Sequence, residues 1–205
     1  METSQLALWR SEFGRSYTDR NDREKPERVE SWRRILEGVA VNRALEVGCN
    51  VGWNLEYLRR LSIPELYGIE PQPYAVERAR ALLARTFRGP AFGVLQGTAF
   101  DLPFKDGYFD LAFTSGVLIH IAPESVGSAL DEIYRVSNKY IVAIEYDAAT
   151  EQEINYRGHA GALWKRDHGG LWQARYPSLK PIRRIELSEE HGYDNCTAHL
   201  FEKQG

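Results

Sequence analysis

The sequence predicts an α/β domain: a doubly wound, seven-stranded, mostly parallel sheet with an antiparallel C-terminal strand. Three observations carry this. Between Arg43 and Tyr146, short apolar runs alternate with stretches whose apolar residues recur at helical spacing. Strands alternating with helices imply crossover units, which impose a parallel sheet covered on both faces. The length, 205 residues, suits one domain with a modest insertion and can bury a full core without disulfide or metal staples.

The elements follow in order. Residues 1–25 are polar with scattered aromatics (Trp9, Phe13, Tyr17) and are expected to form a helical lid. From Pro26 to Gly38, Val29, Trp32 and Leu36 suit an amphipathic helix, with Pro near its start and Gly past its end. Strands are expected at Arg43–Val47, Leu66–Glu70, Ala91–Gln96, Phe109–Thr114 and Lys139–Tyr146. Helices are expected at Gly52–Leu61, at Pro73–Phe87 with Ala75, Ala79, Leu82 and Leu83 on one face, and at Pro123–Val136. Arg183–Leu187 and Cys196–Lys203 read as two strands joined by the turn around His191-Gly192, an antiparallel pair closing the sheet edge. The whole chain, 1–205, reads as a single domain. An insertion at 147–182 separates its fifth and sixth strands.

Composition excludes several classes. Hydrophobic residues are 43% and charged residues 27%, as in a soluble globular protein. A net charge of −3 and a pI near 6.0 argue against a nucleic-acid binder, whose domain is usually basic. The cleanest apolar run, Tyr140 to Ile144, is far shorter than the roughly 20 residues that span a bilayer, so no membrane partner is expected. The start shows no basic n-region and no apolar h-region, so no signal peptide is expected. Two distant cysteines, Cys49 and Cys196, give neither a disulfide scaffold nor a cysteine-based zinc site and suit a cytoplasmic location. No metal is expected.

Charge is uneven. The stretch Ile154 to Arg184 holds seven Lys or Arg against one acid, together with Tyr156, Trp164, Trp172, Tyr176, His159 and His168. Such a segment either solvates itself or faces an anionic, ring-bearing ligand.

The most informative residues are Glu46-Val47-Gly48-Cys49-Asn50-Val51-Gly52, which follow a strand and open a helix. Gly48 allows a tight turn, and Gly52 close approach of a ligand or helix. The pattern is neither G-x-G-x-x-G nor a phosphate-cradling loop ending in Gly-Lys-Ser/Thr. Glu70 ends the second strand, where a carboxylate accepts hydrogen bonds from a ribose diol. A third strand end follows at Gly97-Thr98-Ala99-Phe100-Asp101-Leu102-Pro103-Phe104, with Phe109-Asp110 leading into the fourth strand.

Taken together these motifs resemble the class I S-adenosylmethionine-dependent methyltransferases, which are Rossmann-like, over roughly Arg43 to Tyr146. Glu46, Gly48 and Gly52 match that family's E-x-G-x-x-x-G, and Glu70 its ribose-binding acid. Leu102-Pro103-Phe104 through Asp110 and Ser115 through His120 match its later segments. The resemblance implies S-adenosylmethionine as cofactor, S-adenosylhomocysteine as product, and cofactor contacts from Glu46, Gly48, Cys49, Asn50, Gly52, Glu70, Pro71, Thr98, Ala99, Phe100, Ser115 and Gly116. Thr98 departs from the family, many members of which carry an acid there against the adenine amino group. The segment Trp9 to Asn21 and the pair Tyr156-Arg157-Gly158-His159 and Leu163 to Asp167 resemble the methylases associated with pseudaminic acid biosynthesis and bacterial surface-sugar gene clusters. That implies Tyr17 and Arg20 closing over the cofactor, Arg20 being suited to its carboxylate.

Methyl transfer is an in-line displacement in which orientation supplies much of the barrier reduction. A hydroxyl acceptor also needs a base. His120, just past the fourth strand, is the first candidate, His159 the second; Glu145 and Asp147 end the fifth strand. Trp53 is expected in the core. Tyr156, Arg157, His159, Trp164, Lys165 and Arg166 are expected to bind a small anionic acceptor, a sugar or nucleotide-linked sugar methylated on O or N. Two alternatives stay open: a methyltransferase for a carboxylate or phosphorylated metabolite, and a non-catalytic cofactor-binding partner subunit. The protein is expected as a monomer or homodimer.

Overall fold

The structure is a computed structural model that describes residues 1–86 and 92–204. In chain order the elements are α1 (Ser4–Arg10), α2 (Glu12–Asn21), α3 (Glu27–Ile35), β1 (Arg43–Val47), α4 (Trp53–Arg60), β2 (Glu65–Glu70), α5 (Pro73–Thr86), β3 (Phe92–Gln96) and β4 (Phe109–Ser115). Then follow a 3₁₀ turn (Leu118–His120), α6 (Pro123–Val136), β5 (Ser137–Glu145), β6 (Gln152–Tyr156), β7 (His159–Lys165), α7 (His168–Arg175), β8 (Lys180–Leu187), a second 3₁₀ turn (Glu189–His191) and β9 (Cys196–Glu202). The expected strand start at Ala91 and helix end at Phe87 lie outside the described residues.

Seven strands form one sheet in the order β3-β2-β1-β4-β5-β9-β8, with β6 and β7 as a separate two-stranded hairpin. β1 pairs parallel with β2 and β4, β2 with β3, and β4 with β5. β9 runs antiparallel to both β5 and β8. This is the expected sheet. The order reverses at β1, and its neighbours on the two sides are reached by separate crossovers, so a crevice opens beyond the strands' carboxyl ends.

Burial follows the strand period of two. Leu45 and Val47 on β1 join Phe109, Ala112, Leu130 and Ile133 beneath α6, while Ala44 joins Trp32, Leu55, Leu58 and Phe113 beneath α3 and α4. Glu46, between Leu45 and Val47, therefore points to the α3–α4 face, buried at 2% exposure. Helix starts are locally encoded. Thr3 accepts a hydrogen bond from Leu6 N–H at the start of α1, Ser11 from Phe13 at α2, and Asp167 from Gly170 at α7, and Pro123 occupies the first turn of α6.

Three boundaries differ from expectation by two or more residues. The helix expected over Pro26–Gly38 ends at Ile35, the fifth strand begins at Ser137, and the sixth begins at Lys180, three residues early. The insertion is ordered as the β6–β7 hairpin followed by α7. Its first strand is mostly exposed, with only Ile154 and Tyr156 half-buried.

Candidate functional site

A cavity of about 250 Å³ lies over the carboxyl ends of β1, β2 and β4, roofed by α1 and α2. Of the residues expected at a cofactor site, Tyr17, Glu46, Gly48, Cys49, Asn50, Glu70, Pro71, Thr98, Ala99, Phe100, Ser115 and Gly116 line it. Gly52 and Arg20 do not.

The floor is built by the turn after β1. Gly48 sits at φ +78, and a Cβ there would press into the Val117 side chain, so this position needs glycine for backbone and space alike. Gly48 N–H and Cys49 N–H both donate to Ile69 O, at 2.7 and 3.0 Å, which folds the turn against β2. Of the two roles expected for it, Gly52 shows the approach of a helix and not the cofactor contact. It caps α4 at φ +85, and its α-carbon faces Ala79 of α5, where a Cβ would lie at 3.4 Å; it sets helix packing.

Two carboxylates face this turn. Glu70 accepts from Asn50 N–H at 2.8 Å and from Gln72 N–H at 2.9 Å, one bond on each oxygen. Burial pushes its pKa up to about 7 against the pull of those two N–H groups. Glu46 accepts from Asn54 Nδ2 at 2.7 Å, and burial pushes it up to about 8. Its Oε2, and the Oδ1 of Asn50, are buried without a protein partner. Asn50 holds φ 45, the left-handed region, which aims its N–H at Glu70. Cys49 is buried beside these acids and its thiol is pushed well above the ordinary range by burial.

At the far wall, the Thr98 hydroxyl accepts from Phe100 N–H at 3.2 Å, closing the loop after β3 where the family's acid would stand. Gly116, at φ +68, donates to Ile144 O at 2.8 Å and ties the loop after β4 to β5.

The roof is anchored by a residue that sequence reasoning missed. Gln72 holds Glu70 through its backbone, while its side-chain Nε2 donates to Trp9 O at 3.1 Å and Ser11 O at 2.9 Å, the junction of α1 and α2. Arg20 is exposed on the outer side of α2. Two arginines line the cavity instead, Arg23 and, on α3, Arg28, which donates to Gly192 O at 2.8 Å and lies 4.1 Å over the Tyr193 ring. The available signal was Trp32, four residues on, which marks the buried face of α3. Trp53, expected in the core, is half-buried, lines the cavity and donates to Asp22 Oδ1 at 3.2 Å.

His120 also lines the cavity. Its Nδ1 lies 2.6 Å from Ala162 O of β7, which requires the hydrogen on Nδ1 and leaves the Nε2 lone pair free. Burial depresses its pKa to about 4, against the pull of that carbonyl, so the ring is neutral near pH 7. The other candidate bases are committed elsewhere. Glu145 is fully buried and accepts from the N–H groups of Val117, Leu118 and Ile119 at 3.2 to 3.3 Å, holding the 3₁₀ turn that carries His120. Asp147 lies 2.7 Å from His199 Nε2. Burial pushes Asp147 up, but the His199 bond and its charge outweigh this and leave it lowered.

The residues expected to grip an anionic acceptor do not line the cavity. His159 is exposed and packs on Phe13, 4.8 Å between ring centres. Tyr156 packs between Phe13 (6.0 Å) and His120 (5.2 Å), behind the cavity wall. Arg157 is exposed at the hairpin tip at φ 53. Lys165 lies 5.6 Å over Tyr146, and Trp164 is buried. Arg166 is 3% exposed, donates to Ile121 O at 3.1 Å and faces Glu151 at 3.2 Å. These side chains brace the insertion because a hairpin off the sheet must find its packing on the roof helices.

Among the described residues, no group of three or more His, Cys, Asp or Glu is placed to hold a metal ion, and no helix is long and apolar enough to cross a membrane.

Residues 45–140 match the sequence model of a family described as a methyltransferase domain. An uncharacterized methyltransferase of Synechocystis is 32% identical over 104 residues, 49% of this chain and 46% of that protein. A probable chloroplastic tocopherol O-methyltransferase of rice is 34% identical over 70 residues, 34% of this chain and 19% of that protein. The chain thus spans less than half the length of these curated relatives. Among solved structures, the 1,6-didemethyltoxoflavin-N1-methyltransferase of Burkholderia thailandensis, with bound 1,6-didemethyltoxoflavin and S-adenosylhomocysteine, superposes with a TM-score of 0.75 at 16% identity. The match covers 97% of this chain and 88% of that one. The fold is that of these α/β methyltransferases.

Proposed function

We propose that the chain is an S-adenosylmethionine-dependent methyltransferase acting on an O or N of a small molecule. The observation that carries this reading is Glu70, fixed in the cavity by Asn50 and Gln72 N–H with a second lone pair left on each oxygen. The donor set fits the cofactor. Glu70 would accept from the ribose hydroxyls, and the partnerless Glu46 Oε2 and Asn50 Oδ1 need donors such as an ammonium or hydroxyl. Arg28 would meet the carboxylate, and Pro71, Thr98, Ala99 and Phe100 would flank the adenine. When bound, S-adenosylmethionine supplies an electrophilic methyl on a sulfonium.

The protein's own part is orientation, exclusion of water and removal of a proton. The roof of α1 and α2 shields the cavity. Nε2 of His120 takes the acceptor's proton while Ala162 O stabilises the imidazolium through Nδ1–H. A free base at this place supports an O–H or N–H acceptor over a carboxylate, which needs none. The rice tocopherol relative is named for O transfer and the Burkholderia thailandensis fold neighbour for N transfer, while two rice sterol relatives are named for C transfer; the O or N reading rests on the free base at His120. A surface-sugar acceptor rests on the resemblance of Trp9–Asn21 and Tyr156–Asp167 alone. Buried, unpaired Cys49 and Cys196 support a cytoplasmic setting.

Calorimetry with S-adenosylmethionine tests the reading. Wild type is expected to bind and Gly48→Val to lose binding. A wild type that does not bind removes the proposal.

A further inference from the structure

We infer that the acceptor is a neutral, flat ring carrying one weakly acidic O–H or N–H, rather than an anion or a polyhydroxylated sugar; the inference rests on the methyltransferase reading above. The cavity wall around His120 is apolar. Trp9 stands 4.5 Å from His120 and 5.0 Å from Tyr17 between ring centres, and Leu6, Val117 and Ile121 also line the cavity. Aromatic edges and faces of this kind favour another ring.

Of the charged lining residues, Lys25, Arg28, Glu46 and Glu70 belong to the other part of the site. Lys25 Nζ and Arg28 Nε both donate to Gly192 O, at 3.0 and 2.8 Å, which holds them on the α3 side. Glu46 and Glu70 face the turn after β1. The guanidinium beyond Ile121, that of Arg166, lies outside the cavity lining; it donates to Ile121 O and pairs with Glu151, and its Nε and Nη1 are buried without a hydrogen-bond partner. An anion placed beside His120 would lie against the aromatic and aliphatic wall, away from the Lys25 and Arg28 cations, and each hydroxyl of a sugar laid on that wall would need a partner that the side chains of Leu6, Val117 and Ile121 do not offer. A flat ring leaves a single polar atom to satisfy, and His120 Nε2 satisfies it. The acidity follows from the base. A neutral imidazole in so dry a place takes a proton far more readily from a phenol-like O–H or a heteroaromatic N–H than from an alcohol.

The experiment compares four probes on the wild-type protein saturated with S-adenosylhomocysteine: 2-naphthol, 2-naphthoate, methyl β-glucoside and uridine diphosphate glucose. Binding is read by saturation-transfer NMR and titration at neutral pH. 2-Naphthol is expected to bind about 10-fold or more tightly than the other three, Trp9→Ala to lose about 10-fold, and Trp9→Phe to keep most of the affinity. Equal or tighter binding of the carboxylate or of either sugar overturns the inference. So does failure of 2-naphthol to bind, or unchanged affinity for it in a Trp9→Ala protein that still melts cooperatively. Should Trp9→Ala fail to fold, the probe ranking on wild type decides. Failure of the wild type to bind S-adenosylmethionine overturns the methyltransferase reading instead, and the two failures are separately measured.

Discussion

Glu70 meets the cavity with each oxygen already bound to one backbone N–H, so its position depends on Asn50 and Gln72 and its remaining lone pairs are aimed. Glu70→Gln places an amide NH₂ against one of those N–H donors. S-Adenosylmethionine affinity is then expected to fall by about 1–3 kcal/mol, the range for a hydrogen bond to a charged group. An unchanged dissociation constant by calorimetry removes the ribose role. His120 carries a second prediction. Its folded pKa, about 4, lies below its ordinary 6.5, so the folded state binds the proton less readily than the unfolded chain. Its contribution to stability is present above 6.5 and is lost as pH falls through about 4. His120→Asn is expected to flatten part of the acid limb of a melting-temperature profile and to lower kcat with little change in cofactor affinity. A variant profile that tracks wild type through that window removes the assignment of a buried neutral imidazole. At this scale much was legible in the sequence, because Glu46, Gly48 and Glu70 sit at strand ends whose register the apolar runs reveal. Arg28 was not, since a guanidinium on the flank of a helix carries no motif, and Arg20 drew attention as an arginine in the expected lid suited to the cofactor's carboxylate.

Between elements, two structures meet over the cavity. α1 and α2 are held from below by Gln72, and from the side by the β6–β7 hairpin, where Gln5 Nε2 donates to Gly161 O at 3.0 Å and Phe13 packs on Tyr156 and His159. The roof touches the sheet through a few polar bonds and ring edges, so it belongs to the low-stability end of the molecule, where lids are drawn from. Amide exchange at Phe13 to Asn21 is expected to slow when S-adenosylmethionine is added, and Gln72→Leu to raise it in the unliganded protein. Exchange indifferent to both leaves the roof a fixed wall. The hairpin was expected to grip the acceptor, but its cations serve the fold. Arg166→Ala is therefore expected to lower the melting temperature by several degrees, about 1–3 kcal/mol for a buried hydrogen-bonded charge removed. Arg157→Ala is expected to leave both stability and kcat/KM within error. The reverse pattern restores the grip. The centre of the main sheet was legible because β1, β2, β4 and β5 are apolar runs buried over most of their length. The hairpin was not, since β6 is mostly exposed and takes its order from aromatic contacts with residues 140 positions earlier, which no local period announces.

Over the whole molecule, the buried titratable groups pull stability in opposite directions, and the site makes the balance depend on ligand. Glu46, Glu70 and Glu145 have folded pKa values of about 8, 7 and 7, all above the ordinary 4.5, with burial as the main cause. A raised acid contributes stability below its unfolded pKa and loses it as pH rises through the folded one, here up to about 8. His120 and His168, both depressed by burial, act the other way and have delivered their full contribution by 6.5. These groups are therefore expected to make the unliganded protein lose stability as pH rises from about 6.5 to about 8. Two of the three acids line the cavity and the third, Glu145, sits under the His120 turn, so a cation bound beside Glu46 and Glu70 acts only on the first two. S-Adenosylmethionine, carrying a sulfonium and an ammonium, should pull both toward ionisation, release protons on binding, and bind more tightly as pH rises from about 6.5 to 8. Calorimetry in buffers of different ionisation enthalpy reads the released protons directly. S-Adenosylhomocysteine, lacking the sulfonium charge, is expected to release fewer, and Glu46→Gln to release fewer with either ligand. Proton release that is absent, or identical for the two ligands and for Glu46→Gln, would mean that the cation does not lie against these carboxylates.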